Sequence, residues 1–309
     1  MTLISLDLQS RNGKTLAKLD VDSEDTVGQL KKKFHAVNKK YYPARQRMTL
    51  PAKEGQKSGE VLKDSAKLSE YGLSSGSVVL FKDLGTQIDY STVFFFEYFG
   101  PLVIYPLFFF LPQIFYPGQK ALPLDQRPLV QKIAVAYWMF HYAKRIFETY
   151  FVHTFGHATM PIKNLFKNCS YYYGFAAFVA YFVNHPAYTA PDETLSLVCF
   201  ALAMVCQFSN FRCHTILSNL RAPGETAYKI PSGFLFNYIT CANYTAEIWG
   251  WILFTIGTHT IAAGLFTAAG AFQMAEWARG KHKRLQKLFD GKDGRQKYPK
   301  RWVMFPPLL

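Results

Sequence analysis

Residues 91–110 read STVFFFEYFGPLVIYPLFFF, and Glu97 is the single charged side chain among them. A helix needs about 17 to 25 mostly apolar residues to cross the hydrocarbon core of a bilayer, and this run has that length. Residues 1–84 differ, because they are charged throughout and interrupted by Gly, Ser and Pro. The chain of 309 residues is therefore predicted to join a soluble module, residues 1–84, to a membrane domain, residues 85–309.

Six segments of the second part are long and apolar enough to be predicted as membrane spans. They are 92–114, 130–151, 171–188, 194–212, 234–256 and 258–278. The division between the last two is open, since 234–278 is nearly continuous. The predicted fold class is an N-terminal α+β module joined to an all-α polytopic bundle of about six transmembrane helices.

The charges between the spans predict their orientation. One side of the membrane would carry Lys163, Lys167, Arg212, Arg221 and Lys229 together with the basic tail 279–309. Such loops favour the cytosolic side, and anionic headgroups attract such a tail. The opening MTLISLDLQSRNGK has no signal-peptide core. We expect both termini in the cytosol and the lipid bilayer as a partner; nucleic acid is excluded because no groove-reading or RNA-binding motif is present.

The first module shows a recognisable order of elements. LISLDLQ and TLAKLDV alternate apolar and polar residues around the turn RNGK, which predicts a hairpin. SEDTVGQLKKKFHAV predicts a helix with Ser23 as its cap and with Val27, Leu30 and Phe34 on one side. RMTLPAK, VLKDSAKLSEYG and SVVLFKDL follow as strand, short helix and strand. The order resembles a ubiquitin-like β-grasp, which implies a docking or stability module.

Several polar side chains interrupt the predicted spans. They are Glu97, Lys144, Arg145, Glu148, Asn210, Arg212, Asn243 and Glu247. A charge near the bilayer centre costs at least about 2.5 kcal/mol, so a simple anchor would avoid it. Two explanations stay open: the groups pair and lock the helices together, or they line a polar cavity that takes a large anionic ligand.

A basic loop precedes the fifth span. Arg221 and Lys229 bracket APGETAY, whose Pro and Gly can bring backbone amides towards phosphate. Neither GxGxxG after a strand nor GxxxxGK[ST] occurs in the chain. A dinucleotide, if bound, is thus held by a membrane-embedded pocket and not by a Rossmann fold.

Two long patterns near the C-terminus carry a family resemblance. NLRAPGETAYKIPSGFLFNYITCANYTAEIWGW and KLFDGKDGRQKYPKRWVMFPP resemble the C-terminal domain of the steroid 5-alpha-reductase family. With the ubiquitin-like module and FFFEYFGPL, HYAKRIFETYFVH and HATMPIKNLFKNC, the whole chain resembles the very-long-chain trans-2-enoyl-CoA reductases of the endoplasmic reticulum. The resemblance implies NADPH-dependent reduction of an enoyl-CoA at the end of each elongation cycle. It also implies partners among the condensing enzyme, ketoreductase and dehydratase.

The resemblance assigns cofactor residues by position. The matching positions are Arg145, Asn210, Arg221, Tyr228, Asn243 and Glu247. Asn243 and Glu247 lie one helical turn apart and would address the nicotinamide amide, while Arg221 would hold phosphate. His214 stands where steroid reductases have Asp, and we leave it outside the predicted site.

The same comparison implies two candidate proton donors. Tyr142 matches the donor to the substrate carbonyl in steroid reductases, and Glu97 matches the carboxyl that pairs with it. Tyr244 belongs to ANYT, where enoyl-CoA reductases keep Tyr. We favour Tyr244 as the donor, with Lys144 as its partner or as a phosphate contact, and keep Tyr142 as the rival.

Other classes of protein remain as alternatives. HTFGH at 153–157 spells HxxxH, but a di-iron site needs further histidine boxes, so we predict no metal. A membrane methyltransferase would bind S-adenosylmethionine in place of NADPH. A steroid or sterol enone reductase would share the pocket, and a membrane-anchored ubiquitin-like scaffold would need no pocket at all.

Overall fold

The computed structural model describes residues 2–56, 58–120, 122–155, 158–221 and 227–307. The chain forms two compact units. The first contains the described residues up to Asp89 together with residues 158–164, and the second contains the remaining described residues. The boundary between the two units lies at Asp89, a few residues beyond the predicted domain boundary at residue 84. The predicted domain boundary stays a prediction.

A four-stranded mixed sheet forms the centre of the first unit. Its strands are β1 (Leu3–Ser10), β2 (Thr15–Asp22), β3 (Gln46–Thr49) and β4 (Val78–Asp83), and its single long helix is α1 (Val27–Val37). The spatial order is β2-β1-β4-β3, with β1 and β4 parallel and the other pairs antiparallel. This arrangement agrees with the predicted β-grasp. Two short strands, β5 (Gln87–Asp89) and β6 (Thr159–Pro161), pair antiparallel in the same unit.

The local sequence explains the helix of this unit. Val27, Leu30 and Phe34 are fully buried, so the predicted apolar side is confirmed. The predicted cap Ser23 is wrong. Thr26 caps the helix: its hydroxyl accepts from Gln29 N at 3.3 Å, and the Gln29 side chain accepts from Thr26 N at 2.7 Å. Thr26 is the cap because it directly precedes the first helical residue and completes this reciprocal capping box.

The ion pair between Arg45 and Asp83 makes the stability of this unit depend on pH. Arg45 Nε donates to Asp83 Oδ1 at 2.9 Å, and NH2 donates to Oδ2 at 2.5 Å. The guanidinium holds the pKa of Asp83 below its usual value of 3.8. A lowered carboxyl pKa stabilises the fold above that usual value and loses the effect as the pH falls through the lowered one.

We therefore expect Arg45→Met to speed amide exchange in β3 and β4 at neutral pH, and the difference from the wild type to vanish in strong acid. Hydrogen exchange of the full-length protein at both pH values measures this. Lys67→Met is the control, since its single contact with Glu24 joins two more exposed side chains. An equal loss of protection at both pH values would contradict the assignment to Asp83.

The second part of the chain is helical. Its helices are α2 (Tyr90–Phe110), α3 (Pro112–Phe115), α4 (Leu129–Phe151), α5 (Lys163–Val183), α6 (Glu193–Ser218), α7 (Ala242–Thr258) and α8 (Ile261–Leu288). Each predicted span thus overlaps one long helix, although α5 begins eight residues before the predicted span 171–188 and α8 extends ten residues beyond 258–278. The first predicted span is interrupted at Leu111, whose φ of −122° and ψ of 52° are not helical, and α3 begins at Pro112. The last two helices are divided at His259, whose φ of 48° ends α7.

Two of the described helices, Tyr90–Phe110 and Glu193–Ser218, are long and apolar enough to cross a membrane by length and composition. Among the other helices, α4 carries Lys144, Arg145 and Glu148, the last turns of α8 are basic, and α7 is shorter, with 17 residues. A mostly helical domain is therefore established, while six crossings stay a prediction.

Aromatic rings fill the core of the helical unit. The Trp138 ring on α4 lies 4.6 Å from the Tyr105 ring and 5.2 Å from the Trp251 ring, measured between centroids. Helix α2 packs on α4, and α6 packs on α7. The core thereby fixes α4, α6 and α7 against each other, and these three helices carry most of the site described next.

Candidate active site

A buried carboxylate organises the polar residues of α4. Glu148 is fully buried, and its oxygens contact Lys144 Nζ at 3.2 Å, His214 Nδ1 at 3.0 Å and the Arg145 guanidinium. Lys144 and Arg145 reach the same carboxylate because they precede it by four and three residues on one helix. A buried charge is tolerated when it is paired in this way. His214, which we excluded from the predicted site, belongs to this cluster.

Asn210 on α6 links the charged cluster to α7. Lys144 Nζ donates to Asn210 Oδ1 at 2.6 Å. Asn210 Nδ2 donates in turn to the carbonyl oxygen of Asn243 at 2.9 Å and lies 3.4 Å from Glu247 Oε2. The structure therefore brings four of the six predicted cofactor residues together, namely Arg145, Asn210, Asn243 and Glu247.

Asn243 and Glu247 have groups that a ligand can use. Asn243 is 8% exposed, and its carboxamide makes no hydrogen bond with any residue that the structure describes. Glu247 lies one turn further along α7, and its side chain is 20% exposed. An amide that can donate and accept, beside a carboxylate that accepts, fits the carboxamide of a nicotinamide ring.

A second series of polar side-chain contacts also reaches Glu247. Gln207 Nε2 donates to the Tyr137 hydroxyl at 2.7 Å, and the Gln207 side chain also contacts His141 Nδ1. His141 Nε2 lies 4.0 Å from Glu247 Oε1. Tyr137, His141 and Gln207 were not predicted from the sequence, although Tyr137 and His141 lie with Lys144 on one face of α4, a spacing that could have indicated those two.

Tyr142 lies in the aromatic core and is 1% exposed. Its ring centroid is 5.3 Å from that of Trp138 and 6.3 Å from that of Tyr98. Glu97, its predicted partner, instead accepts a hydrogen bond from Asn168 Nδ2. Neighbouring residues of a helix point about 100° apart, so Tyr98 faces Tyr142 while Glu97 faces α5. This corrects the predicted pairing of Glu97 with Tyr142; their assignment to the site stays a prediction.

Tyr244 also has a different partner from the predicted one. Lys144 is occupied by Glu148 and Asn210, as described above. The cation beside Tyr244 is Lys281 on α8, whose Nζ donates to the phenol oxygen at 2.7 Å. Tyr244 follows Asn243 directly on α7, so these two side chains point about 100° apart, and that of Tyr244 contacts α8. The predicted pairing of Lys144 with Tyr244 is wrong.

The C-terminal segment fixes the start of α7. Thr240 N donates to Trp302 O at 2.8 Å, and Cys241 N donates to Val303 O at 3.1 Å. Thr245 Oγ1 donates to the carbonyl oxygen of Met304, which is fully buried. Asn243 and Tyr244 thus begin a helix whose first turn is held on a strand-like segment.

The two remaining cofactor candidates flank the basic loop. Arg221 makes no hydrogen bond or ion pair with another described residue, and the loop residues 222–226 that follow it lie outside the described part of the chain. Tyr228 is 53% exposed, and its hydroxyl accepts from Arg284 NH1 at 3.2 Å. The contacts of the described residues do not join Arg221 and Tyr228 to Glu148 or Glu247, so a phosphate role for them stays a prediction.

Glu148, His153 and His214 offer ligand atoms that lie within 4.8 Å of one another. A divalent cation does not fit them well, because Lys144 and Arg145 already contact the same carboxylate and would repel it. His157, the second histidine of the HxxxH motif, lies outside the described residues. The absence of a metal stays a prediction.

Protein-family models match both parts of the chain. The family described as 3-oxo-5-alpha-steroid 4-dehydrogenase matches residues 158–309. The model described as the TECR ubiquitin-like domain matches residues 5–83, which confirms the ubiquitin-like prediction.

Full-length relatives decide the family. The "Probable very-long-chain enoyl-CoA reductase art-1" of Caenorhabditis elegans is 46% identical over 278 residues, which cover 87% of this chain and 88% of that protein. The "Very-long-chain enoyl-CoA reductase" of Dictyostelium discoideum is 43% identical over 307 residues, which cover 98% of each. The chain belongs to the very-long-chain enoyl-CoA reductase family. The human "Trans-2,3-enoyl-CoA reductase-like" protein is 35% identical over 289 residues, which cover 90% of this chain and 76% of that protein.

Membership in this family confirms the resemblance found in the two C-terminal patterns. It makes the chain an oxidoreductase with a nicotinamide cofactor. The carboxamide of Asn243, which bonds to no described residue, and the partly exposed carboxylate of Glu247 are consistent with that cofactor.

Proposed function

We propose that the protein uses NADPH to reduce trans-2-enoyl-CoA to saturated acyl-CoA, as the final step of very-long-chain fatty-acid elongation. The observation that carries this proposal is the start of α7. There Asn243 and Glu247 face the buried polar cluster, and Tyr244 faces α8 with its phenol in contact with an ammonium group. One short segment thereby offers both a cofactor contact and a proton donor.

The cofactor contacts follow from the polar cluster. Asn243 and Glu247 would hold the nicotinamide carboxamide. The side-chain amide of Asn210 contacts the Glu247 carboxylate and the main-chain oxygen of Asn243. Arg145 is locked by Glu148 and by Tyr98, to whose hydroxyl it donates at 2.9 Å, so it supplies a fixed positive charge beside the cofactor. Arg221 and Tyr228 would meet the phosphates at the rim. When bound, NADPH supplies the hydride for the β-carbon of the substrate.

The protein must then stabilise the negative charge that forms on the substrate and donate a proton to it. Reduction at the β-carbon moves negative charge onto the thioester oxygen, and a hydrogen-bond donor there stabilises it. Tyr244 would donate the proton that the α-carbon takes up, as a general acid. Tyr142 is the alternative donor, and Glu97 stays a candidate in support of that alternative. Lys144 would act by holding Asn210 and Glu148 in place.

The chemistry of the substrate supports a membrane location. The acyl chain is apolar and belongs in the bilayer, whereas the CoA moiety is anionic and belongs in water. A site at the cytosolic surface of a multi-pass protein accommodates both. We therefore propose residence in the endoplasmic reticulum membrane, with both termini in the cytosol and with other elongase components as neighbours.

Oxidation of NADPH by the purified full-length protein tests the proposal. We expect absorbance loss with trans-2-hexadecenoyl-CoA, formation of hexadecanoyl-CoA by mass spectrometry, and no reaction with hexadecanoyl-CoA as the matched control. NADPH should also raise the thermal stability of the detergent-solubilised protein, and S-adenosylmethionine should not. Absence of turnover together with stabilisation by the methyl donor would refute the proposal in favour of a methyltransferase.

A steroid enone is the second candidate substrate. The observation in its favour is the match of residues 158–309 to the 3-oxo-5-alpha-steroid 4-dehydrogenase family. An enone steroid in the same NADPH assay distinguishes the two. Faster NADPH oxidation with the steroid than with the enoyl-CoA would reverse the assignment.

A further inference from the structure

Lys281 makes two contacts with the same tyrosine. Its Nζ donates to the phenol oxygen of Tyr244 at 2.7 Å and lies 4.5 Å from the centroid of the ring. No carboxylate of a described residue lies within ion-pair distance of Lys281, whereas the acid nearest in sequence, Glu276, pairs with Arg279. The ammonium group is therefore directed to Tyr244 and is not shared with an acidic partner in this part of the chain.

The rest of α8 holds the ring in the same place. Trp277 precedes Lys281 by four residues and so lies on the same face of the helix. Its ring centroid is 6.4 Å from that of Tyr244. Tyr244 also packs with Ala278 and Met304 in one apolar cluster. Two residues on one face of α8 thus contact Tyr244: Trp277 lies beside its ring, and Lys281 contacts its hydroxyl oxygen.

The chemistry of an ammonium group determines the direction of the hydrogen bonds. Lysine donates and cannot accept, so the Tyr244 oxygen must accept in this contact. The phenol proton is then free to point to a different acceptor. When the O–H bond breaks and a C–H bond forms at the substrate α-carbon, the electron pair of that O–H bond stays on the phenol oxygen. A cation at hydrogen-bond distance stabilises that charge, and water then returns a proton to the oxygen.

We propose that Lys281 is a positioning residue for Tyr244. Its ammonium group directs the phenol proton of Tyr244 to the substrate and stabilises the phenol oxygen after the proton has left. This role rests on the proposed enoyl-CoA reduction, in which NADPH supplies the hydride and Tyr244 the proton. Lys281 thereby takes the predicted role of Lys144 as the partner of Tyr244, while the alternative role of Lys144 as a phosphate contact stays a prediction.

The test compares Lys281→Met with Lys281→Arg and with Lys283→Met, a change of an exposed lysine that lies two positions further along α8. Loss of a charge-assisted hydrogen bond should lower the kcat of Lys281→Met by roughly 10- to 100-fold. The KM for NADPH and the thermal stability should stay unchanged. Lys281→Arg should recover most of the rate, and Lys283→Met should match the wild type. The solvent deuterium isotope effect should increase in Lys281→Met, because proton donation becomes slower.

A second comparison asks whether Lys281 acts through Tyr244. Adding Lys281→Met to Tyr244→Phe should change kcat by less than about twofold, since the two residues act as one unit. If Lys281→Met has the wild-type kcat, or lowers kcat equally with and without Tyr244, the role of Lys281 is refuted while enoyl-CoA reduction stands. If the wild-type protein itself fails to reduce enoyl-CoA, the proposed function fails, and this role fails with it.

Discussion

Tyr244→Phe is expected to lower the rate of enoyl-CoA reduction by about 10²- to 10⁴-fold, the range that a general acid contributes. The change removes one hydroxyl and keeps the ring, so the packing of Tyr244 against Trp277 and Ala278 should persist. NADPH binding should also persist, because the change leaves the side chains of Asn243 and Glu247 in place. Single-turnover NADPH oxidation measures the chemical step, and the shift in melting temperature with NADPH measures binding.

Tyr142→Phe is the matched comparison for this prediction. Tyr142 is enclosed by Trp138, Tyr98 and Trp251, and its ring should keep that packing without the hydroxyl. We expect a smaller decrease in rate than for Tyr244→Phe. If the Tyr142 variant loses far more activity, the roles of the two tyrosines must be exchanged.

Residues close in sequence were assigned correctly to common faces. Val27, Leu30 and Phe34 bury one side of α1. Asn210 contacts the main-chain oxygen of Asn243 and the carboxylate of Glu247, one turn apart on α7, while the predicted common face of these two side chains stays a prediction. Helix periodicity alone fixes such relationships, because four residues make about one turn.

The pairing of distant residues was not predictable in the same way. Lys281 lies 37 positions from Tyr244 along the chain, and its contact depends on how α7 packs against α8. Lys144 was the nearer candidate by motif, but Glu148, one turn away, and Asn210 on α6 occupy its ammonium group. A single sequence contains several cations for each polar partner, and only the packing of helices selects among them.

The fold shows the same division between local and distant information. The approximate positions of the long helices follow from apolar runs, so each predicted span overlaps one long helix. Apolar runs do not reveal where α2 ends or where α7 begins. The end of α2 depends on the break before Pro112, and the start of α7 depends on the pairing of Thr240 with Trp302. Whether a helix crosses the membrane depends in addition on which of its charges are paired inside the bundle.

Glu148→Gln is expected to destabilise the helical unit strongly. The side chain of Glu148 is fully buried, and those of Lys144 and Arg145 are 8% and 11% exposed. Removing the carboxylate leaves two buried cations without their acidic partner, and breaking a buried ion pair costs about 3 to 5 kcal/mol. For a unit of this size we expect the melting temperature of the detergent-solubilised protein to fall by on the order of 10 °C.

The chain offers a matched control for this change. Glu276 and Arg279 have the same kind of contact, three residues apart on α8, but both side chains are about half exposed. Glu276→Gln should therefore shift the melting temperature little, since an exposed pair contributes at most about 1 kcal/mol. Adding Lys144→Gln to Glu148→Gln removes one of the two unpaired cations and should restore part of the stability. If Glu148→Gln melts like the wild type but turns over more slowly, the carboxylate acts in the reaction and not in holding α4 to α6.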